Sequence, residues 1–282
     1  MTFTSYIDQV RAERPLVHHI TNYVTVNDCA NACLAIGASP VMADAVDEAE
    51  SMVSIAQSLV LNIGTLNVTK VEAMMVAGRK ANALGIPVVF DPVGVGATPF
   101  RNRMAAELMR QIRMAVVRGN ISEICSLGGE AVATKGVDAG HADAKVAEEV
   151  ASMLAKKWHA TVVISGKTDI ITDGKRVMHI RNGCPEMSDI TGSGCMCTTL
   201  VGAFVGAHPE DPFGASAAAM LSMGIAGERA WRSYGHQGLG HFHMGILDEL
   251  GSMSASVMEA EGKYDILCRH VSASAGKPDA GK

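Results

Sequence analysis

The chain holds 282 residues, 48% of them hydrophobic and only 4% aromatic, so its core must be built from Ala, Val, Ile, Leu and the 17 Met. A formal charge of −5 leaves no basic face to neutralise a nucleic-acid backbone. It does not exclude nucleotide phosphates, which backbone N–H groups, a cation and one or two Arg can hold. No apolar run is long enough to span a bilayer, and the seven Cys lack a framework spacing, so membrane and disulfide-scaffold classes fall away.

Segment 1–14 is polar and carries no apolar signal core, so the expectation is a cytoplasmic protein with reduced thiols. Apolar runs rich in β-branched residues then predict five buried strands, at 39–42, 58–63, 86–90, 114–118 and 161–164. Helical patterns fall between them. Asn67 can cap a helix that runs to Leu84 and stops at Gly85, with Val71, Met74, Gly78 and Ala81 at helical spacing. Thr98-Pro99 opens a second, in which Met104, Leu108 and Ile112 stand four apart. A third spans 141–158, with Val146, Val150, Met153 and Leu154 on one side.

Thr172-Asp173-Gly174-Lys175 lies between two apolar runs and predicts a hairpin, hence an antiparallel edge. Beyond Cys195 no further strand is expected, only a glycine-led helix to Ala207, a long one over 212–234 and a last one over 244–259. The tail, 263–282, stands apart from a domain at 1–262 and is small and polar from Ser272, where disorder is expected. Strands alternating with helices make this a single α/β domain, a mainly parallel sheet with helices on both faces.

In such a sheet ligands bind where strands end and helices begin. Gly64-Thr65 follows the run 58–63, Asp91-Pro92-Val93-Gly94-Val95-Gly96 follows 86–90, and Ser165-Gly166-Lys167 follows 161–164. Arg118-Gly119-Asn120-Ile121-Ser122-Glu123 closes the run 114–118. Acidic, basic and glycine residues thus gather at one edge, as a phosphate or metal site requires. Asp91 and Glu123 are the carboxylates expected near a cation, since Mg²⁺ commonly takes one or two carboxylates plus substrate phosphates. Glu123 has a second reading, as a first-turn acid in a helix capped by Asn120. Arg118 fits a phosphate, or alternatively a structural ion pair.

Asp189-Ile190-Thr191-Gly192-Ser193-Gly194-Cys195 is the sharpest feature. Small residues leading directly into a helix expose several N–H groups at a positive helix end, an anion cradle suited to a phosphoryl group in transfer. Cys195 sits in the first turn, where a thiol pKa tends to fall, and can accept a proton from a substrate hydroxyl or simply pack as a small residue. There is no G-x-x-x-x-G-K-[ST], so the chain is not a P-loop enzyme. Cys184, Cys195 and Cys197 lack zinc spacing. His18-His19 read as packing residues or ligands, and His236, His241 and His243 as solvent-facing in a glycine-rich loop.

Five ordered motifs carry a resemblance: 19–27 (His-Ile-Thr-Asn-Tyr-Val-Thr-Val-Asn), 37–42 (Gly-Ala-Ser-Pro-Val-Met), 91–98, 118–123 and 191–195. In this order the chain, over about nine-tenths of its length, resembles the hydroxyethylthiazole kinases of the ribokinase-like superfamily. The resemblance implies Mg²⁺-dependent transfer of the ATP γ-phosphate to 4-methyl-5-(2-hydroxyethyl)thiazole, a step towards thiamine. It places the thiazole near Asn22, Met42 and Gly192, ATP near Arg118 and Ser165, Mg²⁺ at Asp91 and Glu123, and the catalytic centre at Gly194 and Cys195. It further implies a homotrimer with the thiazole pocket between subunits, and neither nucleic acid nor membrane as partner. Related superfamily kinases carry Asp where this turn has Cys195, which leaves the base as a thiolate or as the phosphate itself. A nucleotide-dependent NAD(P)H-hydrate dehydratase on the same fold would carry Asp there. A non-catalytic thiazole- or thiamine-binding protein would not need Asp91, Arg118 and Glu123.

Overall fold

Successive strand side chains point to opposite faces of a sheet, and here that alternation divides the apolar residues between two cores. Val17, Val60, Val89, Val116 and Val163 face one layer of helices, while Ile20, Leu59, Leu61, Phe90, Val117 and Val162 face the other. The computed structural model describes residues 2–129, 132 and 144–268. Among these, nine strands form one sheet. In chain order they are β1 (Leu16–Ile20), β2 (Ser39–Met42), β3 (Ser58–Asn62), β4 (Val88–Asp91), β5 (Val116–Asn120), β6 (Thr161–Ser165), β7 (Asp169–Thr172), β8 (Arg176–Ile180) and β9 (Tyr264–Cys268). Their order across the sheet is β2-β1-β3-β4-β5-β6-β7-β8-β9. Pairing is parallel from β2 through β6 and antiparallel from β6 to β9.

The helices are α1 (Tyr6–Glu13), α2 (Val26–Ile36), α3 (Val46–Ser54), α4 (Val68–Leu84), α5 (Pro99–Gln111), α6 (Ile121–Gly128), α7 (Ala144–Trp158), α8 (Ser193–Ala207), α9 (Pro212–Tyr234), α10 (Leu239–Ser252) and α11 (Ala255–Glu261). The predicted stops are physical ones. Asn67 caps α4 by accepting from the Lys70 N–H at 2.8 Å, and Gly85 ends it at φ +74°, the left-handed region that favours glycine. Thr98 caps α5 with Pro99 in its first turn. Ile112 falls just outside α5 in extended backbone, yet it is buried and presses on Gly78, where a β-carbon would lie 2.3 Å from its Cδ1. The α8 helix is buried along nearly its whole length, against β1, β3 and β4.

Several expectations are corrected. Leu16–Ile20 is an interior strand, second from the sheet edge between β2 and β3, absent from the predicted five because two histidines interrupt its apolar run. His18 Nε2 reaches the Ala43 carbonyl at 2.7 Å and His19 Nδ1 the Val17 carbonyl at 3.0 Å. Both rings are packing residues, and burial holds His19 down to about 4. The β5 strand begins and ends two residues later than expected. The last helix is two, broken at Met253, with Ser254 capping α11. Strand structure does not end at Cys195: β9 pairs antiparallel with β8, Ile180 opposite Tyr264, so the sheet runs past the boundary set at 262. The first three residues of the predicted helix 141–158, and the tail from Ser272, lie outside the described residues. No helix among the described residues is long and apolar enough to cross a membrane.

Candidate active site

The parallel strands all deliver their carboxyl ends to one edge, where α8 begins. After β1 comes Asn22, at the end of β3 Asn62, at the end of β4 Asp91, within β5 Arg118, and at the end of β6 Ser165. Sheet geometry therefore brings together residues that lie far apart in sequence. Asn22 Nδ2 donates to Asn62 Oδ1 at 3.1 Å and to Cys195 Sγ at 3.1 Å. Asn62 Nδ2 donates to Cys195 Sγ at 3.3 Å and to Asp91 Oδ2 at 3.0 Å. Thr198, one turn into α8, donates to the same Asp91 oxygen at 2.6 Å. Arg118 Nη1 stands 3.9 Å from it, and Arg118 Nη2 donates to Ser165 Oγ at 2.9 Å.

Two buried atoms in this network have no partner: Asp91 Oδ1 and Arg118 Nε. Asp91 is 1% exposed and Arg118 7%. Burial, reinforced by Glu123, pushes Asp91 up to about 6 against the opposing pull of Arg118, Thr198 and Asn62. An unmet acceptor and an unmet donor, both buried, each cost on the order of 1–3 kcal/mol until a ligand or water meets them.

The glycine turn is fixed by close approach. Gly192 has φ +88°, and a β-carbon there would lie 2.9 Å from Thr25 Cγ2. At Gly194 a β-carbon would lie 2.9 Å from Arg118 Nη1, so only glycine lets the arginine lie against the helix start. Thr25 is in turn held by Asn22 Oδ1, which accepts from its N–H at 3.1 Å and its hydroxyl at 3.0 Å. The expected fall in the Cys195 pKa does not occur. Burial raises it and the Asp91 charge adds to the rise, more than offsetting the hydrogen bonds from Thr25, Asn22 and Asn62. Position at a helix start is outweighed by desolvation, so Cys195 is a thiol at neutral pH.

Glu123 takes its second reading, as a first-turn acid in the helix capped by Asn120. It completes a capping box with Asn120, and its other oxygen accepts the Gly94 N–H at 2.9 Å, which ties the loop after β4 to α6. Its charge still reaches Asp91. Met42 is not drawn into the hydrogen-bonded cluster: it is half-buried at the end of β2, in register with His19. His243 is no loop residue but lies on α10, 3.3 Å from Asp28 at the start of α2.

A cavity of about 810 Å³ opens beside Arg118. Its lining includes Arg118, Ser165, Asp169, Ser193 and Gly194, together with Asn182, Gly183, Cys184, Met187, Met220, Met223 and Gly224. That is polar groups and helix-start amides for an anion, and a soft apolar wall for a flat group. Sequence reading missed Asn62, Thr198 and Asp169. Asn62 stands one residue before the end of a predicted strand, beside a predicted ligand edge, and was findable, whereas Thr198 is hidden in an apolar helix. Asp169 is pushed to about 6 by burial, against the Gly166 N–H that it accepts. Arg101 also went unremarked; its guanidinium bonds the Val93 carbonyl at 2.8 Å and the Gly64 carbonyl at 2.7 Å, stitching two site loops together.

Comparison with known proteins identifies the family and the fold. The model of the Hydroxyethylthiazole kinase family matches residues 7–256. The chain is 49% identical over 263 residues to the hydroxyethylthiazole kinase of Clostridium beijerinckii, covering 92% of this chain and 95% of that one. To the enzyme of the same name from Ruminiclostridium cellulolyticum it is 48% identical, covering 93% and 96%. The solved structure of a hydroxyethylthiazole kinase protein from Pyrococcus horikoshii superposes with a TM-score of 0.85 at 37% identity, over 94% of this chain and 98% of that one. Pyridoxal kinase from Staphylococcus aureus shares the fold at a TM-score of 0.58 and 16% identity, over 75% of this chain and 87% of that one.

Proposed function

Because the chain belongs to the hydroxyethylthiazole kinase family, a kinase family of thiamine biosynthesis, we propose that it transfers the γ-phosphate of ATP to the hydroxyl of 4-methyl-5-(2-hydroxyethyl)thiazole at the α8 turn. The observation that carries this reading is the pair of unmet buried atoms, Asp91 Oδ1 and Arg118 Nε, beside a glycine-led helix start. A cation would meet the first and a phosphate oxygen the second.

Phosphoryl transfer asks the protein mainly to position its reactants and to stabilise charge. Arg118, fixed by Ser165 and pressed on Gly194, neutralises the transferring group. The free amides of Ser193, Gly194 and Cys195 face the same group at the positive end of α8. Asp91 would hold Mg²⁺, and Glu123, whose charge reaches Asp91, would add a second negative charge beside it. Among the described residues no cluster of three or more His, Cys, Asp or Glu side chains could hold a metal; Mg²⁺ would instead need one or two carboxylates, several waters and substrate phosphate oxygens. When bound, it screens the phosphates and draws Asp91 into its ionised form.

The acceptor hydroxyl approaches from the Asn22, Met42 and Gly192 side. Since Cys195 rests as a thiol, the hydroxyl proton passes to the phosphate during transfer, and Cys195 positions the alcohol between Asn22 and Asn62. Tyr23, Val24 and Val68 leave 61%, 65% and 72% of their surfaces exposed at this edge. That apolar rim supports a homotrimer in which a neighbouring subunit completes the thiazole pocket. Among the described side chains six cysteines are free thiols, which fits a reducing cytoplasm.

A coupled ADP-release assay with the thiazole alcohol and Mg·ATP is the test. ADP release that depends on the alcohol is expected; none, from folded protein, sinks the assignment. A sedimentation mass three times that of the chain is expected beside it, and full activity in a monomer contradicts the shared pocket.

A further inference from the structure

The wall of the cavity at residues 182–184 belongs to the loop after β8, yet its position is set from outside the cavity, by Glu228 on α9. Gly183, at φ +128°, donates its N–H to Glu228 Oε1 at 3.0 Å. Lys263, between α11 and β9, donates its ammonium to the two Glu228 oxygens at 3.0 and 2.9 Å. The Lys263 N–H donates to Asn182 Oδ1 at 2.7 Å, while Asn182 Nδ2 donates to the Glu261 carbonyl at 3.0 Å. Asn182 lines the cavity, but its amide is committed to the chain's own C-terminal segment. One turn before Glu228, Gly224 lies so close that a β-carbon would be 2.8 Å from the Asn182 carbonyl. Glu228 is 13% exposed and thus partly shielded from water.

We infer that Glu228 is a positioning residue for the nucleotide, holding the 182–184 wall at the spacing a bound nucleotide needs and clamping the β9 segment to it. This rests on the reading of the cavity as the ATP pocket. Glu228 touches neither reactant, so its effect falls on nucleotide binding and not on the acceptor. What matters is reach: a carbonyl or carboxylate oxygen must arrive at the Gly183 N–H. Glu228→Gln keeps an oxygen of the same reach, Glu228→Asp keeps the charge but falls short by one methylene, and Glu228→Ala removes both.

The experiment is steady-state kinetics in each substrate on the full-length variants, with thermal melting alongside. Glu228→Ala and Glu228→Asp are expected to raise the KM for ATP about tenfold, the scale of one unmet buried amide. The KM for the thiazole alcohol should stay unchanged, and Glu228→Gln should remain within about threefold of the parent. An unchanged KM for ATP in folded Glu228→Asp overturns the inference. So does an equal rise in both KM values that merely follows a lower melting temperature. In the parent protein, Mg·ADP should slow alkylation of Cys184, read by peptide mass spectrometry. No slowing overturns the pocket assignment and this inference with it; slowing with unchanged KM values overturns this inference alone.

Discussion

On the β1–β3 flank of the glycine turn, Asn22 and Asn62 commit their side-chain amides to each other, to Thr25, to Cys195 and to Asp91. On the β5–β6 flank, Arg118 keeps a buried Nε without a partner, and Asp91 between the flanks keeps a bare Oδ1. On the proposed acceptor flank the Asn22 and Asn62 side chains are met within the protein, whereas on the proposed nucleotide flank Arg118 Nε, and between them Asp91 Oδ1, are not. The difference follows from the ligands. A neutral thiazole alcohol needs shape and a held hydroxyl, whereas a phosphate and its cation must find charges that the protein has left unneutralised. Such preorganised charge, costly in the empty protein, is what electrostatic catalysis requires.

The widest break in this comparison is Arg118→Ala. It removes the nucleotide flank's cation and should lower kcat by about a thousandfold, the lower scale of an arginine that stabilises a transferring phosphoryl group. The KM for the thiazole alcohol should stay within a few-fold. A kcat within tenfold of the parent, in a folded variant, would place the phosphate elsewhere. On the other flank Cys195 is expected to matter less. Cys195→Ala should lower kcat by about tenfold, the scale of a displaced acceptor without loss of a charge. Cys195→Asp should keep or raise turnover, because a carboxylate can take the hydroxyl proton that a thiol cannot. Total loss of activity in the Asp variant, with the fold intact, contradicts the placement of the acceptor hydroxyl beside Sγ.

A further effect is expected on stability rather than on turnover. Asp91 is held at about 6, above the ordinary carboxylate value, so the folded empty protein prefers it protonated. Its favourable contribution is therefore present below about pH 4 and lost as pH rises through 6, on the order of 3 kcal/mol at neutral pH. Asp91→Asn should gain stability relative to the parent between about pH 4 and 6.5. Thermal melts of both proteins across that range, without nucleotide or Mg²⁺, measure it. A constant difference would mean that Arg118 already neutralises Asp91 in the empty site.

How much of this was legible in sequence depended on whether the signal was local. The α4 helix could be read to its caps because Asn67 and Gly85 act within one turn. The β7–β8 hairpin was legible from Asp173-Gly174, whose turn closes on itself. The β9 strand was not, because five residues beyond a helical region become a strand only by pairing with a partner far back in the chain. Within the site, Asp91, Arg118 and Ser165 were findable because a parallel sheet always delivers its strand ends to one edge. Thr198 was not, since nothing in an apolar helix marks which residue faces a carboxylate. The direction of the Cys195 shift failed for a related reason: helix position is local, but burial is not.

The two substrates are proposed to meet at Cys195 from separate flanks. The most direct test is steady-state kinetics in both substrates on the pair Ser165→Ala and Asn22→Ala. A higher KM for ATP with little change for the alcohol is expected in Ser165→Ala, and the reverse in Asn22→Ala. If both variants, folded and equally stable, raised both KM values alike, the two flanks would be one site and the account would be wrong.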